Sequence, residues 1–464
     1  MNTPEKTIRR TFLKTTGASS FWLGLSTALP SIVPQQVMGN NPPSDKVVIG
    51  NIGLGWRGNE LLRGCVRNDN VQIAAICDLD MAFLIQRMQF LDTMADVDRQ
   101  WIKGELWDTI PAPTPPGAAD VYLDYRKLLD RQDIDGVIIA VPDHWHARLF
   151  LDALDAGKDV YGEKPITLTI GQGRKVVRRV AETGRIFQVG FQQRDHKNFQ
   201  TVCEYVRNGR LGKLKKIRII IHGTRLMDPV PDCPAPPTLD WERWLGPAPL
   251  VPYNPLRCHV FFRYFYEYSG GQVTDLGAHH TDVAQWALDM DHSGPRFIEG
   301  DCAVNPANAF NTFTEYHFKL TYDNGVELTI ESGDGFDMIF EGEKGQIFVN
   351  RAKIESNPID ILQEPITSNK IRLVEENSEF SSENEGYISS TSIHIQKWVN
   401  AIKTRIQPNT PAEIGHRSST VSHLANICGW VKRKLEWDPV KELFVNDTEA
   451  NSYLNRPERE PYDT

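Results

Sequence analysis

The stretch KVVIGNIGLGWRGNELLRGCV, Lys46 to Val66, constrains the fold more than any other. An apolar run leads directly into Gly53-Leu54-Gly55-Trp56-Arg57-Gly58 and then into an amphipathic helical pattern. Each glycine has a physical role: the first makes a tight turn, the second lets a pyrophosphate approach the backbone, and the third lets helix and strand pack closely. The pyrophosphate then rests on the free N–H groups at the positive end of the helix. A second apolar run, VQIAAICDLD, ends at Asp78, 20 residues after Gly58. A carboxylate at that place binds adenosine ribose hydroxyls and repels a 2′-phosphate, which favours NAD over NADP unless Arg57 or Arg63 reverses the preference. A glycine turn in a Rossmann-like fold that holds no ligand is the plainer alternative.

Further strands, IDGVIIAVP and KDVYGEKP, alternate with helical patterns at Tyr125 to Leu129 and Ala147 to Ala156. Alternation of this kind predicts βαβ units and a parallel sheet. After a helix over Ile170 to Thr183 and the strand RIFQVGFQQR the pattern changes. From KLKKIRIIIHGTR through FDMIFEGEKGQIFVNR the residues alternate, with DNG and EKG as hairpin turns, so the second domain is expected to be α+β with a large, mainly antiparallel sheet. At 464 residues the chain exceeds one ordinary core. The expected layout is an export signal over 1–39, an α/β Rossmann domain over 46–166, the α+β domain over 167–440, and a tail over 441–464.

The N-terminal forty residues place IRRTFLK before the apolar FWLGLSTALPSIV, the order of a basic region, an apolar region and a cleavage zone. Arg9-Arg10 followed by Thr11, Phe12, Leu13 and Lys14 resembles a twin-arginine signal, which implies export of a folded, cofactor-loaded protein to the periplasm. No later apolar run is long enough to span a bilayer. The formal charge of −9 argues against a nucleic-acid partner. Seven dispersed cysteines, without a C-x-x-C pair, do not form a disulfide or zinc framework.

VPDHWH (Val141 to His146), GEKP (Gly162 to Pro165) and GGQVTDLGAHHTD, taken in order with the glycine loop, resemble the Gfo/Idh/MocA family of oxidoreductases over roughly Lys46 to Trp437. The resemblance implies that Lys164, Asp275 and His279 line the reaction site, that Glu163 faces the nicotinamide ribose, and that the chain forms a homo-oligomer through the open face of its second sheet. Oxidising a secondary alcohol sends a hydride to the nicotinamide while a base takes the hydroxyl proton. A lysine beside a cationic ring has its ammonium disfavoured, and histidine titrates near neutrality, so Lys164 and His279 are the candidate proton carriers, with Asp275 orienting one of them. Pro142, Asp143 and His146 follow a strand end, where open α/β sheets bind ligands. Trp145, Arg194, Tyr268 and His280 are the candidates for contact with a carbohydrate or polyol. If the segment after Gly277 is helical, His280 points about 100 degrees away from His279, so the adjacent pair serves one metal poorly, and no metal is expected.

The expectation is thus an NAD-dependent enzyme that moves hydride at a secondary hydroxyl of a sugar, glycoside or polyol. Free NAD is scarce outside the cytoplasm, so an exported enzyme is expected to hold its cofactor tightly. An NAD-dependent glycosidase acting by transient C3 oxidation, and a non-catalytic sugar or nucleotide sensor, are the alternatives.

Overall fold

The computed structural model describes residues 45–66, 68–84, 119–363, 366, 370–373 and 387–464. The expected export signal lies outside the described residues, as does the polar loop EENSEFSSENEG.

Six strands, β1 (Val47–Ile52), β2 (Val71–Cys77), β3 (Asp120–Tyr122), β4 (Gly136–Ile139), β5 (Asp159–Gly162) and β6 (Phe187–Val189), form a parallel sheet in the order β3-β2-β1-β4-β5-β6. The helices are α1 (Trp56–Val66), α2 (Tyr125–Leu129), α3 (Asp143–Asp155) and α4 (Ile170–Thr183). The strands are short runs rich in Val and Ile because both faces of the sheet are covered. Since α4 and β6 complete this sheet, the boundary expected at 166 falls inside it, and the sheet ends at Val189.

The rest of the chain builds a sheet of nine strands. After α5 (Lys197–Arg207) come β7 (Leu214–Ile221), α6 (Trp241–Leu245) and α7 (Leu276–Ala287), then β8 (Phe297–Ala303), β9 (Glu315–Thr321), β10 (Glu327–Ser332), β11 (Phe336–Gly342), β12 (Gly345–Val349) and β13 (Ile354–Asn357). Helices α8 (Tyr387–Thr404) and α9 (Ala412–Val431) precede β14 (Leu435–Asp438), β15 (Leu443–Phe444) and α10 (Thr448–Ser452). The order is β13-β12-β11-β7-β10-β9-β8-β14-β15, antiparallel except for the parallel pair β7 and β10. Helices α5, α7 and α9 cover its inner face through Phe199, Val283, Ala284 and Leu424.

Helix α8 belongs by sequence to the second domain yet covers one face of the first sheet. Its Trp398 is fully buried with Val47, Ile138 and Tyr161. The segment expected as a tail is also structured: β15 edges the large sheet, and Tyr462 packs against Trp145 with ring centroids 5.2 Å apart.

Candidate active site

In the first sheet the strand order reverses between β1 and β4, and the crevice at the C-terminal ends of those strands is where such sheets bind ligands. A cavity of about 540 Å³ opens there. It is lined by Gly53, Gly55, Trp56 and Arg57 from the glycine loop, Asp78 after β2, Pro142 and Trp145 after β4, Glu163 and Lys164 after β5, and Asp275 and His279 of the second domain.

The glycines of the loop have different surroundings. Gly53 turns with φ 87°, and a Cβ there would lie 2.4 Å from the Ala140 carbonyl oxygen. A Cβ on Gly58 would lie 1.9 Å from the Gly53 carbonyl oxygen, whereas one on Gly55 would meet nothing within 4 Å. Gly58 is therefore a packing glycine, and Gly55 keeps open the space a pyrophosphate needs beside the first N–H groups of α1. Leu54 differs from expectation. Its side chain is buried with Leu62, Ile76 and Leu84, and its N–H donates to Asp78 Oδ2 at 2.6 Å, so it braces the loop from behind. Asp78 also accepts from Asp80 N at 2.9 Å; burial pushes its carboxyl up to about 6 against those hydrogen bonds.

At the other end of the cavity the Lys164 ammonium lies 2.5 Å from Asp275 Oδ1 and 3.0 Å from the Asp275 carbonyl oxygen. Arg263 Nη1 donates to the remaining Asp275 oxygen, Oδ2, at 2.6 Å. Burial alone would raise the Asp275 carboxyl, but Arg263 and Lys164 together overcome it and hold it at about 2. One turn into α7, His279 is buried with Nδ1 lacking a hydrogen-bond partner. Burial first, and then the positive charges of Lys164 and Arg351, push its pKa well below the ordinary histidine value, so its imidazole is neutral. Lys164 follows the end of β5 at Gly162, and its bond to Pro165 is cis. Glu163 accepts from Arg57 Nε at 2.7 Å, and Arg57 also meets Glu60 at 2.8 Å.

Other candidates stand elsewhere. His146 lies outside the cavity lining: Nδ1 is 2.7 Å from the Pro165 carbonyl oxygen and Nε2 is 2.9 Å from that of Val141, so it ties together the two loops that line the cavity. Arg194 is buried against both oxygens of Asp282 and against Asp291 at 2.7 Å, which joins the exit of the first sheet to α7. Tyr268 is fully buried in an aromatic cluster with His144 and Trp244. His280 stacks on Phe336 at 3.9 Å, and burial with nearby Arg351 pushes it down to about 3. None of these three lines the cavity, because each points into the core beside α7 or α3. Trp145 does line it, with its indole N–H on the Trp244 carbonyl oxygen at 2.9 Å.

Arg263 was not legible as a site residue: it lies in a short 3-10 helix, His259–Tyr264, in no recognisable spacing from Lys164. The same segment supplies His259 and Phe262 to the cavity, and Leu239, Arg243 and Trp244 come from the stretch around α6. This strap is pinned to the loop after β2. Met81 N donates to the Thr238 carbonyl oxygen at 2.9 Å, Asp240 N to that of Leu79 at 3.2 Å, and His259 lies 3.5 Å from Asp80 Oδ2. Among the described residues no group of three His, Cys, Asp or Glu side chains is placed to hold a metal ion; Asp275 instead serves two cations.

The fold and cavity are those of a dinucleotide-binding α/β protein. The chain belongs to the GFO_IDH_MocA oxidoreductase family: residues 47–191 match its NAD-binding Rossmann fold and residues 223–464 its C-terminal alpha/beta domain. It is similar to a glycosyl hydrolase family 109 protein of Shewanella pealeana, 32% identical over 217 residues, which span 44% of each chain. An uncharacterized oxidoreductase of Bacillus subtilis is 23% identical over 315 residues, 66% of this chain and 75% of that one. The aldose-aldose oxidoreductase of Caulobacter crescentus shares the fold with a TM-score of 0.60 at 15% identity, over 84% of this chain and 99% of that one.

Proposed function

We propose that the protein moves hydride between NAD and a secondary hydroxyl of a sugar, glycoside or polyol. The observation that carries this is the grouping of Lys164, Asp275 and His279 in one cavity with the glycine loop. NAD supplies the hydride acceptor when bound. Asp275, kept ionised by Arg263, holds the Lys164 ammonium in place, where it donates to the reacting oxygen and stabilises developing alkoxide charge. His279 is neutral and accepts the hydroxyl proton in the oxidation direction, either directly or after Lys164 has passed it on. The engagement of Arg57 by Glu163 and Glu60 supports the preference for NAD, since that guanidinium is already committed. Single-turnover hydride transfer, followed at the nicotinamide absorbance over a panel of sugars and polyols, tests the reading; no transfer to any of them would overturn it.

Export by the twin-arginine route with a retained cofactor belongs to the same proposal. The strap pinned across the adenosine end of the cavity supports retention. Acid denaturation of the purified protein should release about one nucleotide per chain, and fractionation should find the protein in the periplasm. Assembly through the open face of the large sheet is proposed with it, and sedimentation would count the subunits.

A second reading is favoured by the similarity to the family 109 glycosyl hydrolase. Oxidation at C3 would acidify the C2 proton, whose removal would expel the aglycone from C1; water would then add with its hydroxyl at C1 and a proton at C2, and the hydride would return to C3, with the same residues handling the protons. Release of nitrophenol from a nitrophenyl glycoside with no external redox acceptor would select it.

A further inference from the structure

Apart from the cofactor cavity, a second pocket of about 350 Å³ lies among the start of α4, the residues after α6 and the segment that follows α10. Its lining shares no residue with that of the first cavity: at the first turn of α3, His144 lines the second pocket and Asp143 and Trp145 line the first. Neither Lys164 nor any residue of the glycine loop reaches it.

Its polar groups are incompletely used. The Arg456 guanidinium stacks on the Tyr266 ring 3.6 Å from the centroid and donates to the Tyr266 carbonyl oxygen, but among the described residues it pairs with no carboxylate. Burial pushes its pKa below the ordinary arginine value. A desolvated guanidinium of this kind is costly until an acceptor faces it. Gln172, 5% exposed, donates through Nε2 to Glu458, which leaves Oε1 buried without a hydrogen-bond partner. The pocket therefore offers a donor at Arg456, an acceptor at Gln172, and apolar walls at Pro247 and Pro249.

The charges decide what fits. Glu267 is already served by Arg257 at 3.2 Å and Asn311 at 2.8 Å, but among the described residues Glu458 forms no ion pair and would repel an anion. A neutral polyhydroxylated ring suits these walls: its hydroxyls both donate and accept, and its C–H face packs on Pro247 and Pro249. We propose that this pocket is a second carbohydrate site, separate from the one where hydride moves. The volume lies at the small end of the range for ligand pockets, which suits a single sugar ring.

The test is saturation-transfer NMR of the full-length, NAD-loaded protein with methyl β-D-glucopyranoside, methyl α-D-galactopyranoside and, as an anionic control, D-glucuronate. Arg456→Met removes the donor at similar length, and Ser452→Trp, at the exposed rim, fills the pocket without touching the buried groups. In both variants transfer to the best-bound neutral glycoside should fall at least fivefold while nucleotide content stays unchanged. Equal transfer in all three proteins would overturn the site, and tighter binding of glucuronate than of either glycoside would overturn the neutral ligand class. Loss of binding in the variants together with no hydride transfer in the wild type would leave this site standing and defeat only the catalytic reading.

Discussion

Lys164 and Asp275, 111 residues apart in the chain, meet with the ammonium 2.5 Å from one carboxylate oxygen, while Arg263 holds the other at 2.6 Å. The pair joins the loop after β5 of the first sheet to the start of α7, so the two members of the ion pair come from different domains.

Removing the lysine should separate chemistry from binding. Lys164→Ala takes away the donor to the reacting oxygen but leaves Gly55, Asp78 and the start of α1 untouched. Hydride transfer should fall by about 10²- to 10⁴-fold, the usual contribution of a positioned acid or base, with the nucleotide still bound. Single-turnover absorbance and nucleotide content after acid denaturation measure the two separately. Loss of both together would mean that the lysine holds the cofactor and not the reaction.

Arg263 should reveal itself in a pH profile. With Arg263 present the Asp275 carboxyl lies at about 2, below its unfolded value of 3.8, so the ion pair is complete above about pH 4 and is lost only as pH falls through 2. Arg263→Gln removes the first of the two cations that oppose burial, and the carboxyl must rise. The acid limb of the rate profile should then move to higher pH, while Arg263→Lys should return it most of the way. A lower rate with an unmoved acid limb would reduce Arg263 to a packing residue.

Much of this site was legible because its signals are local. A glycine loop, a carboxylate at the end of the next strand, and a lysine before a proline each declare themselves within a few residues of sequence. Arg263 does not: it reaches Asp275 only because the 3-10 helix His259–Tyr264 packs beside Gly271–Val273, the segment that leads into α7. Arg194, Tyr268 and His280 show the converse limit. Their residue types suit a sugar, but Arg194 is consumed by Asp282 and Asp291, and the rings of Tyr268 and His280 are consumed by packing, none of which a single sequence reveals. In the fold, strand and helix alternation was readable, whereas the parallel pairing of β7 with β10 and the docking of Trp398 on the first sheet depend on partners more than a hundred residues away.

The buried histidines set the acid stability of the fold. In the folded chain burial pushes His144 to about 4 and His280 and His423 to about 3, with His279 also well below its ordinary value. An unfolded histidine takes its proton near 6.5, so each contributes stability that is complete above that pH and is lost progressively below it, by about 1.4 kcal/mol per pH unit. Asp78 works in the opposite direction between 3.8 and about 6, because its raised carboxyl binds a proton more readily folded than unfolded. The urea midpoint should therefore fall steeply between pH 6 and 4, with a slope of several protons. A midpoint that stays level across that range would show these imidazoles to be charged or exposed in solution.

The two glycines that flank Trp56 and Arg57 should fail in different ways. A Cβ at Gly55 enters open space in the cavity, so Gly55→Ala should fold with nearly wild-type stability and lose at least tenfold in NAD affinity, since the methyl group takes the place of the pyrophosphate. A Cβ at Gly58 sits 1.9 Å from the Gly53 carbonyl oxygen, which is backbone and cannot rotate away. Gly58→Ala must push α1 off β1 and should cost about 1–3 kcal/mol of stability, the range for overpacking a tight contact. Urea melts and NAD titrations on both variants give four numbers, and the assignment of the loop requires them to cross: affinity lost with stability kept at Gly55, and stability lost first at Gly58. If Gly55→Ala binds NAD as well as the wild type, the open space beside it is not where the pyrophosphate lies.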